Sequence, residues 1–528
     1  MKIRRITALL LTVSLASNMI SGAGVNAKKM SKDIRLWKKN VSVRVGENCK
    51  IKYKASKKIK VKSKAARIAK ASVKKQHIVI RGIKKGKTKI TVSCGKKKTY
   101  IKVTVKKNVT TKKTKGTPTP KPTASPNPYI DESVAINLSK CAASINSFSN
   151  DMFTTQSVSD VAKGKNTFVS PLSLYTALMI LANGADGNTK SQICQVLGID
   201  NFDEYNKSVG EYMKGSLDEY VTFVSGNSLW INNKYAFFNP DIDKTFIMPV
   251  KNVWNADVKR VEGFDSKAVD DINRWCSEKT GEMIPKMLEY NQVNEDTVMA
   301  IINAMYFSGR WCEQFATYQT VNETFKGKNV QNPVPMMTKE NTFYRYLRTD
   351  KIEAVELDYG QHGYKGNNYA MDIILPADKS QYIGDIWNGM TPEEKLHIID
   401  SFGTKTNPGK VTELRTLKIP RFKIDGGMDD IIQYLTGKGM TDAFCEKADF
   451  SPIGEGLCVD NVLHKAVIEV DEEGSKAAAV TVITLMEVTA LVNKERPTID
   501  FIADVPFMFI IRDRVSGTIL FIGQVNNL

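Results

Sequence analysis

The sequence predicts a multi-domain α+β protein: a small all-β sandwich in front and one large mixed domain behind it. Three observations lead there. At 528 residues the chain is longer than one domain of ordinary size. Its charge is divided. Residues 1–128 carry 37 Lys and Arg against only Asp33 and Glu47, a net +35, while the remaining 400 carry 39 bases and 54 acids, a net −15. The apolar pattern also changes, from period-two alternation in front to helical and strand runs behind, with no regular βαβ order. A composition of 42% hydrophobic and 25% charged residues supports a sizeable core and excludes a wholly disordered chain or a multi-span membrane protein. The overall +20 does not argue for nucleic acid, because three quarters of the chain is acidic.

Residues 1–27 read as a secretory signal. Lys2, Arg4 and Arg5 form the positive start, Ile6–Ala16 the apolar stretch, and Val25, Asn26 and Ala27 a cleavage site with small residues. About 11 apolar residues are too few to span a bilayer, which takes roughly 20. No cysteine lies near the cleavage point, no later run reaches 18 apolar residues, and no sorting tail is evident at the C-terminal end. The expectation is a soluble protein without a transmembrane segment, secreted to the extracellular side. Eight cysteines are scattered without a CxxC pair, so zinc-ribbon and thioredoxin-like sites have no support. Cys49 and Cys94 alone share the front unit; export permits a bridge between them, and two small buried thiols are the other reading.

Residues 28–107 form the predicted sandwich. Strands are expected at Val41–Val45, Lys50–Lys54, His77–Ile80, Thr88–Val92 and Tyr100–Val105, punctuated by Gly46, Gly82, Gly86 and Gly95, with one face buried and one covered in lysine. The segments VSVRVGE and VIRGIKKGKTKITVSCGKKKTYIKVTV resemble the bacterial Ig-like group 2 domain, over about 75 residues. Gly82–Thr88 imitates a phosphate-binding loop, but three residues instead of four separate its glycines. It also precedes a strand, where that motif needs a helix N-terminus, so it is read as a hairpin turn. Residues 108–128, rich in Thr, Pro and Lys, are expected to be an extended spacer.

Residues 129–528 form the large domain. Helical patterns fill Ser170–Gly198 and Ala268–Glu289, and β-rich runs lie at Asn368–Pro376, Val411–Ile424 and Phe507–Val525. No catalytic constellation stands out. The four histidines are His77, His362, His397 and His464, and HExxH, GxSxG and GxGxxG are all missing, so an enzyme is not expected, nor a cofactor or a metal. The unusual stretch is EEGSKAAAVTVITLME (472–487). As a strand, Ser475–Leu485 would place Ser475, Ala477, Ala479, Thr481, Ile483 and Leu485 on one face, all uncharged. It could enter the middle of a sheet without burying a charge; an ordinary buried strand is the alternative.

This stretch resembles the hinge and reactive loop of the serpins, a family of suicide protease inhibitors. Further matches follow in the family's order: NTFVSPLSLYTALMILANGADGNT (166–189), IINAMYFSGRW (301–311), LKIPRFKI (417–424), DNVLHKAVIEVDEEGSKAAA (460–479) and PFMFIIRDRVSGTILFIGQV (506–525), so the likeness spans about 400 residues. It implies three β-sheets, about nine helices and an exposed loop that a target serine protease cleaves. The acyl-enzyme is then trapped as the freed hinge inserts into the central sheet. The hinge comprises Glu473, Gly474, Ser475, Ala477, Ala478 and Ala479, whose small side chains favour inhibition; Lys476 and Val480 are mild departures on the outward face. Ser170, Ser173, Asn303 and His464 resemble the family's shutter, and Trp311 the tryptophan beneath the insertion point; a satisfied polar cluster and a core aromatic describe the same residues physically. Family spacing from Gly474 places the scissile bond at Val488–Thr489, which suits an elastase-like pocket. The loop runs long, to Pro506, and leaves Met486, Thr489 and Lys494 open as other cut sites.

The expectation is thus an exported bacterial member of that family, inhibiting elastase-like serine proteases through a covalent complex. A non-inhibitory surface binding protein of the same fold is the alternative. The front unit, at +32 over residues 28–128, is expected to hold an anionic cell-wall or glycan polymer or to serve as a solvated spacer. Its aromatics are few (Trp37, Tyr53, Tyr100), against single-stranded nucleic acid.

Overall fold

The computed structural model describes residues 4–11, 35–36, 40–45, 48–55, 59–74, 77–94, 97–106 and 132–528, the last without 215, 218–219, 236–237, 281, 283–285, 295, 362–367, 405–406, 429 and 476–497. The chain divides into two compact units, Ser17–Thr123 and Met1–Ala16 with Ala124–Leu528.

In the first unit, β2 (Arg35–Leu36), β4 (Asn48–Lys54), β7 (His77–Gly82) and β6 (Ala69–Lys74) form one four-stranded sheet in the order β2-β4-β7-β6. A second contains β3 (Asn40–Arg44), β9 (Lys97–Lys106), β8 (Gly86–Cys94) and β5 (Lys60–Ser63) in the order β3-β9-β8-β5. The period-two pattern does what alternation requires: Ile78, Ile80, Ile90, Val92, Ile101, Val103 and Val105 turn inward to one core, while Lys87, Lys89 and Lys102 face water. The expected hairpin at Gly82–Thr88 is corrected. β7 and β8 belong to different sheets, so this glycine-marked link is a corner between sheets. Gly86, at φ +156°, holds that corner where an added Cβ would meet Ile68 at 3.0 Å. The Cys49 side chain lies outside the described residues, so the pairing with Cys94 goes no further.

The second unit places helices around two large sheets: α1 (Glu132–Ala162), α2 (Pro171–Ala182), α3 (Gly187–Val196), α4 (Phe202–Tyr212), α5 (Met248–Trp254), α6 (Ser266–Lys279), α7 (Ile383–Gly389), α8 (Pro392–Ser401) and α9 (Ile431–Gly437). α2 starts where Pro171 fills the first helical position, and every one of its residues is buried. α6 stops at Lys279, ten residues short of the expected end. The backbone N–H groups of Met287 and Leu288 donate to Asn273 Oδ1 at 2.6 and 2.7 Å, so the chain doubles back onto its own helix.

The eight-stranded sheet is built around β14 (Thr297–Arg310) and β21 (Leu457–Val470). Outside β14 lie β12 (Val221–Asn232), β11 (Ser216–Leu217) and β13 (Asp257–Val261); outside β21 lies β20 (Phe422–Met428). Between β14 and β21 stand two separate pieces, β1 (Arg4–Leu11) and β22 (Gly474–Ser475). The nine-stranded sheet runs β10 (Thr167–Val169), β25 (Ile519–Val525), β24 (Phe507–Asp513), β18 (Tyr369–Pro376), β17 (Ile352–Asp358), β16 (Gln331–Arg348), β19 (Val411–Pro420) and β23 (Asp500–Ile502), with β15 (Val321–Lys326) also on β16. The three sheets expected therefore appear as two hydrogen-bonded networks. β16 is 18 residues long; it pairs with β17 through Arg345–Arg348 and with β19 from Met336 to Arg345, joining two arms.

Candidate functional site

The site is the gap between β14 and β21, and its two ends are built differently. At the hinge end the chain leaves β21 at Val470, turns through Asp471–Glu473, and re-enters the sheet as β22. Ser475 pairs with Gly309 of β14 on one side and Val470 of β21 on the other, and Gly474 pairs with Arg310. The turn is held by Asp471 Oδ1, which accepts the Glu473 and Gly474 N–H groups at 3.0 and 3.3 Å. Gly474 has φ +155°, and a Cβ there would lie 2.0 Å from the Gly309 carbonyl oxygen, so only glycine fits.

Around the hinge, Trp311 and Tyr359 form a platform. Their rings stack with centroids 4.6 Å apart. The Trp311 backbone N–H donates to the Glu473 carbonyl and its indole N–H to the Asp471 carbonyl, each at 2.9 Å. Tyr359 Oη lies 2.5 Å from Ser475 Oγ, and Ser475 is 3% exposed. Gly309 leaves room for the Tyr359 ring, whose Cδ1 would be 2.5 Å from an added Cβ. Beside them Glu472 is 4% exposed, accepting from Arg421 Nε at 2.9 Å and from Thr320 Oγ1 at 2.5 Å. Burial alone would raise its carboxyl, but the bonds from Arg421 and Thr320 hold it below the usual range.

Deeper in the gap, the four residues expected as a shutter form two clusters on the N-terminus of α2. The Ser173 hydroxyl donates to Asn303 Oδ1 at 2.5 Å, and Asn303 Nδ2 donates to Asn227 Oδ1 at 2.7 Å and Ser225 Oγ at 3.2 Å on β12. On the other side the Ser170 backbone N–H donates to His464 Nε2 at 3.0 Å, and the Ser170 hydroxyl donates to the Leu520 carbonyl at 3.0 Å. β14 is thus fastened through Ser173, with the Ser170 hydroxyl also 3.3 Å from Met305 Sδ, and β21 through the Ser170 backbone N–H. Burial lowers the His464 imidazole to about 3, so the ring is neutral and its Nε2 stays an acceptor.

Every expected site residue among the described residues is placed at the gap: Glu473, Gly474, Ser475 and Trp311 at the hinge, Ser170, Ser173, Asn303 and His464 deeper. Ala477, Ala478, Ala479 and the Val488–Thr489 bond lie outside the described residues. The sequence reading missed Tyr359, Arg421, Thr320, Asn227 and Ser225. Arg421 stands inside LKIPRFKI, and a positive charge there facing the acids at 472–473 was the one available signal; Ser225 and Asn227 come from β12, Tyr359 from just past β17 and Thr320 from the turn before β15, all remote in sequence. No group of three His, Cys, Asp or Glu suited to a metal occurs among the described residues.

Together these features define a protein with a central sheet parted along one line and a hinge already seated at the end of the parting. Residues 143–528 match the family profile described as Serpin (serine protease inhibitor). The chain belongs to the serpin family. It is 29% identical over 396 residues to Serpin-Z1B of Triticum aestivum, covering 72% of this chain and 94% of that protein. It is 30% identical over 401 residues to the leukocyte elastase inhibitor of Bos taurus, covering 74% of this chain and all of that one. Among solved structures it resembles the thermophilic serpin tengpin in its native state, with a TM-score of 0.60 and 29% identity over 76% of this chain and 95% of that chain.

Proposed function

We propose that this chain is a suicide inhibitor of serine proteases with elastase-like preference. The reading rests above all on the hinge: Gly474 and Ser475 are paired into the top of the gap, and the next residues in sequence are Lys476 and three alanines. After cleavage, each further residue through Ala479, and beyond it wherever β1 gives way, would gain ladder bonds on both sides, so a strand joining at the centre of the sheet supplies the driving force. The gap polar groups act as a releasable fastening for the two strands that must part. Val488 as the residue before the cut, and the likeness to a bovine leukocyte elastase inhibitor, both favour a small apolar specificity pocket.

In the same proposal the protein is an exported bacterial serpin. Residues 28–107 act as an Ig-like basic module that retains it by charge on anionic envelope polymer, a retention that molar salt abolishes.

The test mixes the protein with pancreatic elastase and follows the product on denaturing gels. A high-mass band that survives boiling, with release of a peptide beginning at Thr489, is the expected result. Clean cleavage with no complex and no gain in heat resistance would instead support a non-inhibitory binding protein. Val488→Arg should move inhibition toward trypsin-like enzymes; unchanged elastase inhibition would place the bond elsewhere.

A further inference from the structure

The gap between β14 and β21 has an occupant from the chain's own beginning. Arg5–Leu11 of β1 runs parallel to β14, with Arg5 opposite Thr297 and Leu11 opposite Ala304. Its other edge runs parallel to β21, from Arg4 opposite Leu457 to Leu9 opposite Leu463. The hinge enters the same gap from the opposite end and in the opposite direction, with Ser475 against Gly309.

Antiparallel register then fixes what further insertion would meet. Each residue added after Ser475 faces one position earlier on β14. Lys476 would face Ser308, Ala479 would face Met305, Val480 would face Ala304 and Glu487 would face Thr297. The positions from Ala304 back to Thr297 are those that β1 holds. The hinge can therefore advance only through Lys476–Ala479 before it meets Leu11. From Val480 onward, loop and leader compete for the same backbone donors and acceptors. Their sequences are alike in the property that a central strand demands: after Arg5, ITALLL is uncharged, as is AAAVTVITLM after Lys476.

We propose that residues 4–11 are an internal occupant of the insertion gap, so that a chain retaining its leader inserts its loop slowly and loss of the leader arms it. The proposal rests on the inhibitor reading. β1 acts as a delay and not a permanent plug, because parallel pairing is somewhat weaker per residue than the antiparallel pairing the loop would make, and the loop offers the longer ladder. It also shares the gap with the hinge in the intact protein, which leaves β22 docked.

The experiment compares the full-length chain with full-length Ala8→Pro, where proline removes a ladder donor from the middle of β1. The loop is nicked with a metalloprotease, which forms no acyl-enzyme, and the rate at which heat resistance appears is followed. Ala8→Pro should gain it about tenfold faster, and a synthetic peptide of residues 4–11 added to that variant should restore the delay. Before nicking, hydrogen exchange should show residues 297–304 and 457–463 protected in the unaltered chain and less so in Ala8→Pro. Equal rates and equal protection in the two chains would overturn the occupant while leaving the inhibitor reading intact. Failure of both chains to gain heat resistance would overturn the inhibitor reading, and unchanged exchange in that case would remove the occupant as well.

Discussion

Gly474→Ala separates docking of the hinge from the rest of the fold. In place, the hinge makes the β22 pairings to Gly309 and Val470, the Trp311 N–H bond to the Glu473 carbonyl, and the Tyr359–Ser475 contact. At about 1 kcal/mol for each of these four, docking contributes about 4 kcal/mol. Alanine at φ +155° costs about 1–3 kcal/mol in backbone strain. Its Cβ would also sit 2.0 Å from a β14 carbonyl oxygen, which belongs to the sheet backbone and cannot swing aside. The two penalties together match or exceed what docking contributes, so β22 should leave the sheet. The body of the protein should remain folded, because the core does not depend on it. The assay is the number of inhibitor molecules consumed per protease trapped, together with the heat resistance of the cleaved chain. Gly474→Ala should consume several-fold more inhibitor and gain less heat resistance on cleavage. An unchanged stoichiometry would refute the argument that insertion must begin through the Gly474–Arg310 pairing.

Four other outcomes are expected. His464 is neutral in the fold with its pKa lowered to about 3, whereas the unfolded chain takes up a proton below about 6.5. Stability should therefore fall as pH drops, by about 2 kcal/mol between pH 7 and 5 for this group, read from urea midpoints and absent in His464→Gln. Arg421→Ala leaves Glu472 buried without its cation and should cost about 1–3 kcal/mol by the same measurement, part of which Glu472→Gln added to it restores. Because Glu472 is held below its usual range, the stability it contributes is present above pH 4.5 and lost as pH falls below that, a dependence Arg421→Ala should weaken. Tyr359→Phe keeps the stack on Trp311 and removes only the contact to Ser475; it should loosen the hinge by about 1 kcal/mol, seen as faster hydrogen exchange at the Trp311 N–H that bonds the Glu473 carbonyl.

The hinge was legible because its requirement is compositional. A glycine followed by small uncharged residues can be recognised without knowing what it touches. The large-domain strands were legible for a similar reason, since runs such as Tyr369–Pro376 are buried on both faces and read as unbroken apolar stretches. α1 was not singled out, because its buried side includes Asn146, Ser149, Gln156, Ser157 and Asp160, and these interrupt any apolar stripe. The link at Gly82–Gly86 was misread for want of long-range information: its glycines announce a turn, but whether flanking strands pair depends on β4 and β9 elsewhere in the chain. Tyr359 and Thr320 were invisible for the same reason, lying 116 and 152 residues from their partners Ser475 and Glu472.

The attachment of both gap strands to one short stretch, Ser170 and Ser173 at the start of α2, has a consequence for how this molecule ages. Two independent fastenings would fail one at a time; a common anchor lets go of both strands together. Were β1 to leave as well, the opening would expose a pair of facing strand edges, each with a row of unused donors and acceptors. A loop from a neighbouring copy would satisfy such edges as well as the molecule's own loop would, but it would come from a different surface than the one it enters. That contact is head-to-tail and has no symmetry that closes it, so its product is an extending string of molecules and not a dimer.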